Sequence, residues 1–259
     1  MRISTSSPKA AALLHTALPL LFWLGLWWLL AACIDQELLV PSPLAVAQEL
    51  AALAVTAHFW HSVAISLLRI FCGVAAGVLL GSLCAVATCR WPLADHLLSP
   101  AIRVIRATPV ASFIILVLLW VQTGAVPGVI AALMVLPIMW ESIDTGIRST
   151  DPALLEFARA YRLSRRQTAL HVYLPAIRPF FTAGICTSIG LAWKSGVAAE
   201  VLCLPRAAIG AEVYYAKIYL ETPALFAWTI TVIVLSLLVE RVIRRLLAGR
   251  PTGKGGDSI

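Results

Sequence analysis

The dominant constraint on this chain is the recurrence of long apolar runs. Stretches near residues 12–33, 62–88, 107–122, 126–146, 180–202 and 224–242 carry few charges. A helix of roughly 20 apolar residues crosses the ~30 Å hydrocarbon layer of a bilayer with its backbone polar groups satisfied internally. The expected architecture is therefore all-α and polytopic, with about six transmembrane helices in a single transmembrane domain over residues 1–259. Its parts are an N-terminus at 1–11, a core at 12–245 containing a loop at 148–178, and a basic tail at 246–259. The third run is the shortest, because only about 15 uncharged residues separate Arg106 from Gln122, with Pro109 and Pro127 at its flanks. Composition excludes a water-soluble domain of this size: 60% of the residues are hydrophobic and 13% charged, too few charges to cover such a surface.

The net charge of +7 is informative only by position. With the N-terminus inside, the cytoplasmic segments hold Arg2 and Lys9, then Arg90, Arg103 and Arg106, then Arg148, Arg159, Arg162, Arg165, Arg166 and Arg178, then Arg241, Arg244, Arg245, Arg250 and Lys254. Those are 16 of the 20 basic residues. Arg206 and Lys217 fall outside, and Arg69 and Lys194 fall within spans. This asymmetry follows the positive-inside rule and places both termini and the 148–178 loop in the cytoplasm.

Several other motifs lose on inspection. The basic start, apolar run and LAAC at Leu30–Cys33 resemble a lipoprotein signal, but the run is longer than the usual apolar core of about 7 to 15 residues, so a retained first helix is expected. Cys33, Cys72, Cys84, Cys89, Cys186 and Cys203 show no CxxC spacing and read as small packing residues, with no metal site expected. GRPTGKGG from Gly249 lacks the spacing of a phosphate loop and the Ser or Thr after its lysine. No loop is long enough for a soluble catalytic domain, so the chain is not expected to carry out bond chemistry or to hold a cofactor.

The segment EFARAYRLSRRQTALHVYLP, Glu156–Pro175, has strong local signals. Asp151 followed by Pro152 is an N-cap with proline at the first helical position, predicting a helix from about Pro152 to Tyr161. Ser164 with Gln167 three residues on forms a capping box for a second helix, which Pro175 is expected to end. Phe157, Ala158 and Tyr161 are available for apolar contact, and Arg159, Arg162, Arg165 and Arg166 for polar contact.

Here the sequence resembles a known family. The pattern is similar to the cytoplasmic signature loop of bacterial ABC importer permeases: Glu-Ala-Ala, three residues, Gly, nine residues, then Ile-x-Leu-Pro. Glu156, Phe157 and Ala158 stand for the triplet, and Val172, Leu174 and Pro175 for the end. Arg162 replaces the glycine; glycine permits a left-handed turn that arginine resists, so the joint is expected to differ or its partner to accept a bulkier residue. LVPSPLAV from Leu39, RSTDPALLEFARA from Arg148 and LAWKSGVAAEVL from Leu191 resemble the aliphatic sulfonate, taurine and nitrate group of these permeases, over roughly residues 38–245.

The resemblance implies a type I ABC importer permease fold with cytoplasmic coupling helices, in the bacterial inner membrane. It implies a second permease chain, as a homodimer, two ATPase subunits that bind ATP and Mg, and a periplasmic or lipid-tethered binding protein that delivers solute. The contact with the ATPase would fall on Glu156, Phe157, Ala158, Arg159, Tyr161, Arg162, Leu163, Ser164, Arg165, Leu174 and Pro175. Cargo stays open, because riboflavin and thiamine-precursor permeases resemble this group too.

The loop has rival readings. A basic loop touching anionic membrane lipid would explain the arginines but not the caps. A DNA-binding helix-turn-helix is disfavoured because both ends are tied to spans, so no nucleic acid partner is expected.

Within the bilayer, Lys194 stands about 14 residues into the fifth span, with roughly 12 Å of helix between it and the outer end. A charge at that depth must be paired or face a cavity. Lys194, with Trp193 and Ser195 beside it, is expected to line the solute path for an anionic or strongly polar cargo, together with Glu200 and Glu141. The competing reading is a buried ion pair, with Glu141 or Asp144 as its partner and Arg69 as another unpaired charge. Glu200, about 120° around the helix, is not expected to face Lys194. An ion-gradient-driven carrier would use the same charges for coupling, and a membrane-embedded enzyme would need a cluster of acid and base groups that these scattered charges do not supply.

Gly73, Gly77 and Gly81 form a double GxxxG ridge suited to close helix packing. His58, Trp60 and His61 read as an interfacial anchor, and the aromatic segment from Pro205 to Pro223 as a place where a docking protein could sit.

Overall fold

The computed structural model describes the backbone of residues 8–247 and the side chains from Leu18 onward. The expected tail GRPTGKGG and the basic residues Arg2, Arg250 and Lys254 lie outside the described residues, as does the side chain of Lys9.

Every regular element among the described residues is helical. They are α1 (Pro8–Ile34), α2 (Pro43–Ala54), α3 (Ala57–Arg90), α4 (Pro92–Ala107), α5 (Val110–Val117), α6 (Val126–Arg148), α7 (Pro152–Ala160), α8 (Arg165–Thr168), a π-helical turn at Ala169–Tyr173, α9 (Leu174–Cys203), α10 (Ile209–Ile218) and α11 (Thr222–Leu247). By length and apolar composition α3, α6, the continuous run Arg165–Cys203 and α11 can each cross a bilayer. The expected span at 12–33 falls in α1, whose described part, Leu18–Ile34, is also apolar.

The third expected span is corrected. No straight helix covers 107–122; α4 and α5 meet at 108° across Thr108–Pro109, and only together are they long enough to span. Proline disfavours helical backbone in the residue before it, and Thr108 and Pro109 are accordingly extended, with ψ of 132° and 135°. Pro175 is a second correction: it does not end the helix, because the π turn just before it, closed by the Leu174 N–H on the Ala169 carbonyl, carries the chain on from α8 into α9. The fifth span thus starts in the loop, at Arg165.

Contacts group the chain into two units. One comprises Met1–Trp60 with Glu212–Thr231. Inside it Trp27 stacks on Phe226 at 5.8 Å and donates to the Pro41 carbonyl. Thr222 reaches the Leu38 carbonyl, and Phe59 packs on Trp228. His58 meets Glu212 at 2.8 Å, and Trp60 donates to the Ala54 carbonyl. Ser42 caps α2 through the Ala45 N–H, with Pro43 in the first turn.

The other unit comprises His61–Ala211 with Val232–Ile259. Its centre is a seam between α6 and α9 with α5 packed on it, where Ile114 and Val117 of α5, Val126, Ile130 and Met134 of α6, and Ala199 and Cys203 of α9 form one buried cluster. The glycine ridge of α3 packs against α6 as the GxxxG spacing implies. A Cβ on Gly73 would collide with the Gly128 carbonyl, and one on Gly77 or Gly81 would come within 2.7 or 2.6 Å of the Ala132 or Leu136 carbonyl oxygen. Gly184 serves the α6–α9 seam similarly, against Ser142 and Met139.

Candidate functional site

Two regions hold the residues that the sequence singled out. The first is the loop between α6 and α9. Asp151 accepts from the Ala153 N–H at 2.8 Å and starts α7, with Pro152 in its first turn. At its other end the Arg162 N–H bonds the Arg159 carbonyl (3.0 Å) and the Leu163 N–H bonds the Ala158 carbonyl (2.9 Å). That paired pattern is a Schellman closure, and it requires a left-handed residue at position 162. Arg162 supplies it, with φ of 51°. Of the two outcomes expected of Arg162, a reshaped joint is not the one found: the turn that glycine would make freely is made by arginine at a strain of ~1–2 kcal/mol, stabilised by the two hydrogen bonds and by the capping box that follows. In that box Ser164 accepts from the Gln167 N–H while the Gln167 side chain accepts from the Ser164 N–H.

The result is a short rigid hook. Its inner face is Ala158, 3% exposed, and α7 packs on the π turn, where Val172 is also buried. Its outer face is apolar and open: Leu154, Phe157 and Tyr161 are 50%, 54% and 68% exposed, and the Phe157 and Tyr161 rings lie 4.2 Å apart. Glu156, Arg159, Arg165, Leu174 and Pro175 are exposed around it, and Leu163 is half-buried.

The second region is a groove of about 610 Å³ between α4, α6 and α9. Its wall on α9 is the helix's exposed face, on which Ala183, Thr187, Leu191, Lys194 and Ala198 recur every three or four residues. Thr187 and Leu191 line the groove, and Lys194 continues the same face about 4.5 Å further along the axis. Across the groove Arg106 of α4 is ion-paired with Glu141 of α6, both more than half exposed.

The other residues expected beside Lys194 are placed elsewhere. Trp193 is 2% exposed and donates to the Val232 carbonyl at 3.1 Å; Ser195 is buried and donates to the Leu191 carbonyl. Glu200 is fully buried: its Oε2 accepts from Ser66 Oγ (2.9 Å) and the Gly210 N–H (3.1 Å), and Ser66 accepts in turn from the Ile209 N–H (3.0 Å). This network ties α3 and α9 to the start of α10.

The suggested partners of Lys194 are also engaged with other groups. Glu141 holds Arg106, and Asp144 holds Arg148 at 2.8 Å and the Cys89 thiol at 3.0 Å. Arg69, expected to be unpaired, donates to the Arg206 and Ala207 carbonyls at 2.8 and 3.0 Å. Arg106 is the groove residue that sequence reasoning used only for topology. Its meeting with Glu141, 35 positions away, has no local signal, although the face shared by Thr187, Leu191 and Lys194 is legible as helical spacing.

Apolar helices of spanning length, a charged groove between α4, α6 and α9, and a capped amphipathic hook on one inter-span loop define a polytopic membrane transport subunit. Residues 77–249 match the family model described as the binding-protein-dependent transport system inner membrane component, and the chain belongs to that family of ABC transporter permeases. It is 26% identical over 231 residues to the taurine transport system permease protein TauC of Escherichia coli, covering 86% of this chain and 83% of that protein. It is 30% identical over 203 residues to the putative aliphatic sulfonates transport permease protein SsuC of the same organism, covering 75% of each. Among solved structures the fold matches an amino acid ABC transporter with histidines, with a TM-score of 0.58 at 21% identity over 71% of this chain and 87% of that one. It also matches the MetNI methionine ABC transporter in an inward-facing conformation, with a TM-score of 0.56 at 17% identity over 73% and 92%. The fold is the type I ABC importer permease fold.

Proposed function

We propose that this permease imports a small sulfonate-type solute and that the hook at α7 couples it to a separate ATPase subunit. The observation that carries the coupling is the open Phe157–Tyr161 face on a helix fixed at both ends. An amphipathic helix of this kind seats its apolar face in a partner's groove, and packed interfaces switch between discrete arrangements instead of deforming. Displacement of the hook reaches the spans because it packs on the π turn within Arg165–Cys203, one helical run of 39 residues, about 58 Å long. That run carries Lys194 on the groove face. ATP and Mg belong to the ATPase subunits, two per complex, and the permease is paired with a second copy of itself.

The cargo class rests on the taurine and aliphatic sulfonate relatives and on two cations, Arg106 in the groove and Lys194 on the exposed face of α9 beyond it. Solute is handed over by a binding protein on the outer side, and the positive-inside asymmetry puts both termini and the hook in the cytoplasm of the bacterial inner-membrane system.

The test is solute-stimulated ATP hydrolysis by the complex purified through this chain and returned to lipid, comparing the native protein with Phe157→Ala and Tyr161→Ala. Both side chains are exposed, so the permease itself should fold normally. An ATPase that co-purifies and loses most of its solute response in both variants supports coupling through the hook. If no ATPase accompanies the chain and the variants are silent, the coupling reading fails and an ion-gradient-driven carrier takes its place.

A further inference from the structure

We infer that Arg106 and Glu141 form an exchangeable docking station for a zwitterionic solute, an amino-sulfonate held with its sulfonate on Arg106 and its ammonium on Glu141. The inference rests on the sulfonate reading of cargo and adds which form of sulfonate the groove selects.

The two side chains line one groove and pair across it, from α4 to α6. Neither is locked in the fold: their side chains are 63% and 53% exposed, and no further hydrogen bond holds either one among the described residues. An exposed ion pair adds little stability, so exchanging it for other partners costs the fold little. This pair stands free at the edge of a groove large enough for a solute of a few heavy atoms.

A simple anion entering the groove must compete with Glu141 for Arg106, and it leaves the carboxylate without a partner and like-charged with its guest. A zwitterion does neither. Its sulfonate takes the guanidinium, its ammonium takes the carboxylate, and one internal pair is exchanged for two charge-assisted contacts with no net charge brought in. Arg106 suits a sulfonate for a further reason: the planar guanidinium presents two parallel donors to two oxyanion atoms. Thr145, exposed along the groove, offers a hydroxyl to the remaining oxygen, whereas the Thr187 hydroxyl already donates to the Ala183 carbonyl. Selection at this station would therefore act after delivery, on solutes that a binding protein passes without telling a free amine from its absence.

The test uses two probes that differ only in the amine, taurine and ethanesulfonate, and measures their direct binding to the purified complex in lipid nanodiscs without the binding protein. The native complex should bind taurine more tightly. Glu141→Gln should weaken taurine by about tenfold or more and leave ethanesulfonate unchanged or tighter, because the competing carboxylate is gone, while Arg106→Gln should weaken both by about tenfold. The double exchange Arg106→Glu with Glu141→Arg should keep the preference for taurine, because the station is merely reversed. Solute-independent ATP hydrolysis serves as the check that each variant is assembled.

Equal weakening of both probes by Glu141→Gln, or no weakening of either, overturns the station. Stimulation of ATPase by taurine-loaded binding protein without any direct taurine binding overturns the station and leaves the cargo reading standing. No stimulation by either sulfonate overturns the cargo reading, and the station with it.

Discussion

Glu200 offers a sharp test of how the permease is held together. It was expected along the solute path, yet it is fully buried and works as a knot between α3, α9 and α10. Glu200→Ala removes the acceptor of the Gly210 N–H and of the Ser66 hydroxyl. An orphaned buried donor costs about 1–3 kcal/mol. The Ser66 hydroxyl, which accepts from the Ile209 N–H, loses its own acceptor too, but an O–H on a helix can rotate to a carbonyl one turn back, so only one such penalty is counted in full. The truncation also leaves a void that cannot close easily, since Gly210 already sits so near that a Cβ there would lie 2.5 Å from Glu200 Cβ. Large-to-small core changes cost about 2–5 kcal/mol, part of it from the void. A loss of about 3–5 kcal/mol is expected in all.

Glu200→Gln keeps an oxygen where Oε2 stands and the same volume, but sets an amide donor at the buried Oε1 position, which has no partner among the described residues; it should cost about 1–3 kcal/mol, less than alanine because no void opens. Thermal unfolding of the detergent-purified protein, with protease sensitivity of the segment 204–210, measures both. Alanine as stable as the native protein, or glutamine as damaging as alanine, would refute the reasoning.

Other substitutions probe the remaining elements. Gly77→Val should destabilise the α3–α6 contact by about 1–3 kcal/mol or more, because its Cβ meets backbone at Ala132 that cannot move aside; melting temperature in detergent reads this. Arg162→Gly should leave the hook's shape and coupling intact, since relief of ~1–2 kcal/mol of left-handed strain roughly offsets the ~0.5–1 kcal/mol of extra chain entropy, whereas Arg162→Val should break the closure. Tryptic cleavage at Arg159 and Arg165 distinguishes the two. Lys194→Met should sharply reduce uptake of an anionic solute by a correctly assembled complex, and unchanged uptake would remove Lys194 from the path.

The sequence alone determined the parts of this protein that depend on composition and on near neighbours. Apolar runs of spanning length dictate helices because a bilayer leaves backbone groups no other partner. The Asp151–Pro152 start and the Ser164–Gln167 box lie within a few residues of the N–H groups they satisfy, so both were legible and both are found. The glycine ridge was legible as a surface for a neighbour, though not which neighbour.

What tertiary structure decided is whatever joins distant positions or overrides a local preference. Pro175 reads locally as a stop, but the π turn re-registers the chain and makes the loop continuous with α9. Arg162 reads as hostile to a left-handed turn, but the hydrogen bonds closing α7 hold it there. Lys194, Trp193, Ser195 and Glu200 stand close in sequence, yet a helix turns about 100° per residue. Packing against α3, α6 and α11 therefore sends Trp193, Ser195 and Glu200 into the core and leaves Lys194 on the open face. Arg106 and Glu141 meet only because the break at Thr108–Pro109 and the α6–α9 seam bring α4 against α6, a consequence of long-range packing that no local pattern encodes.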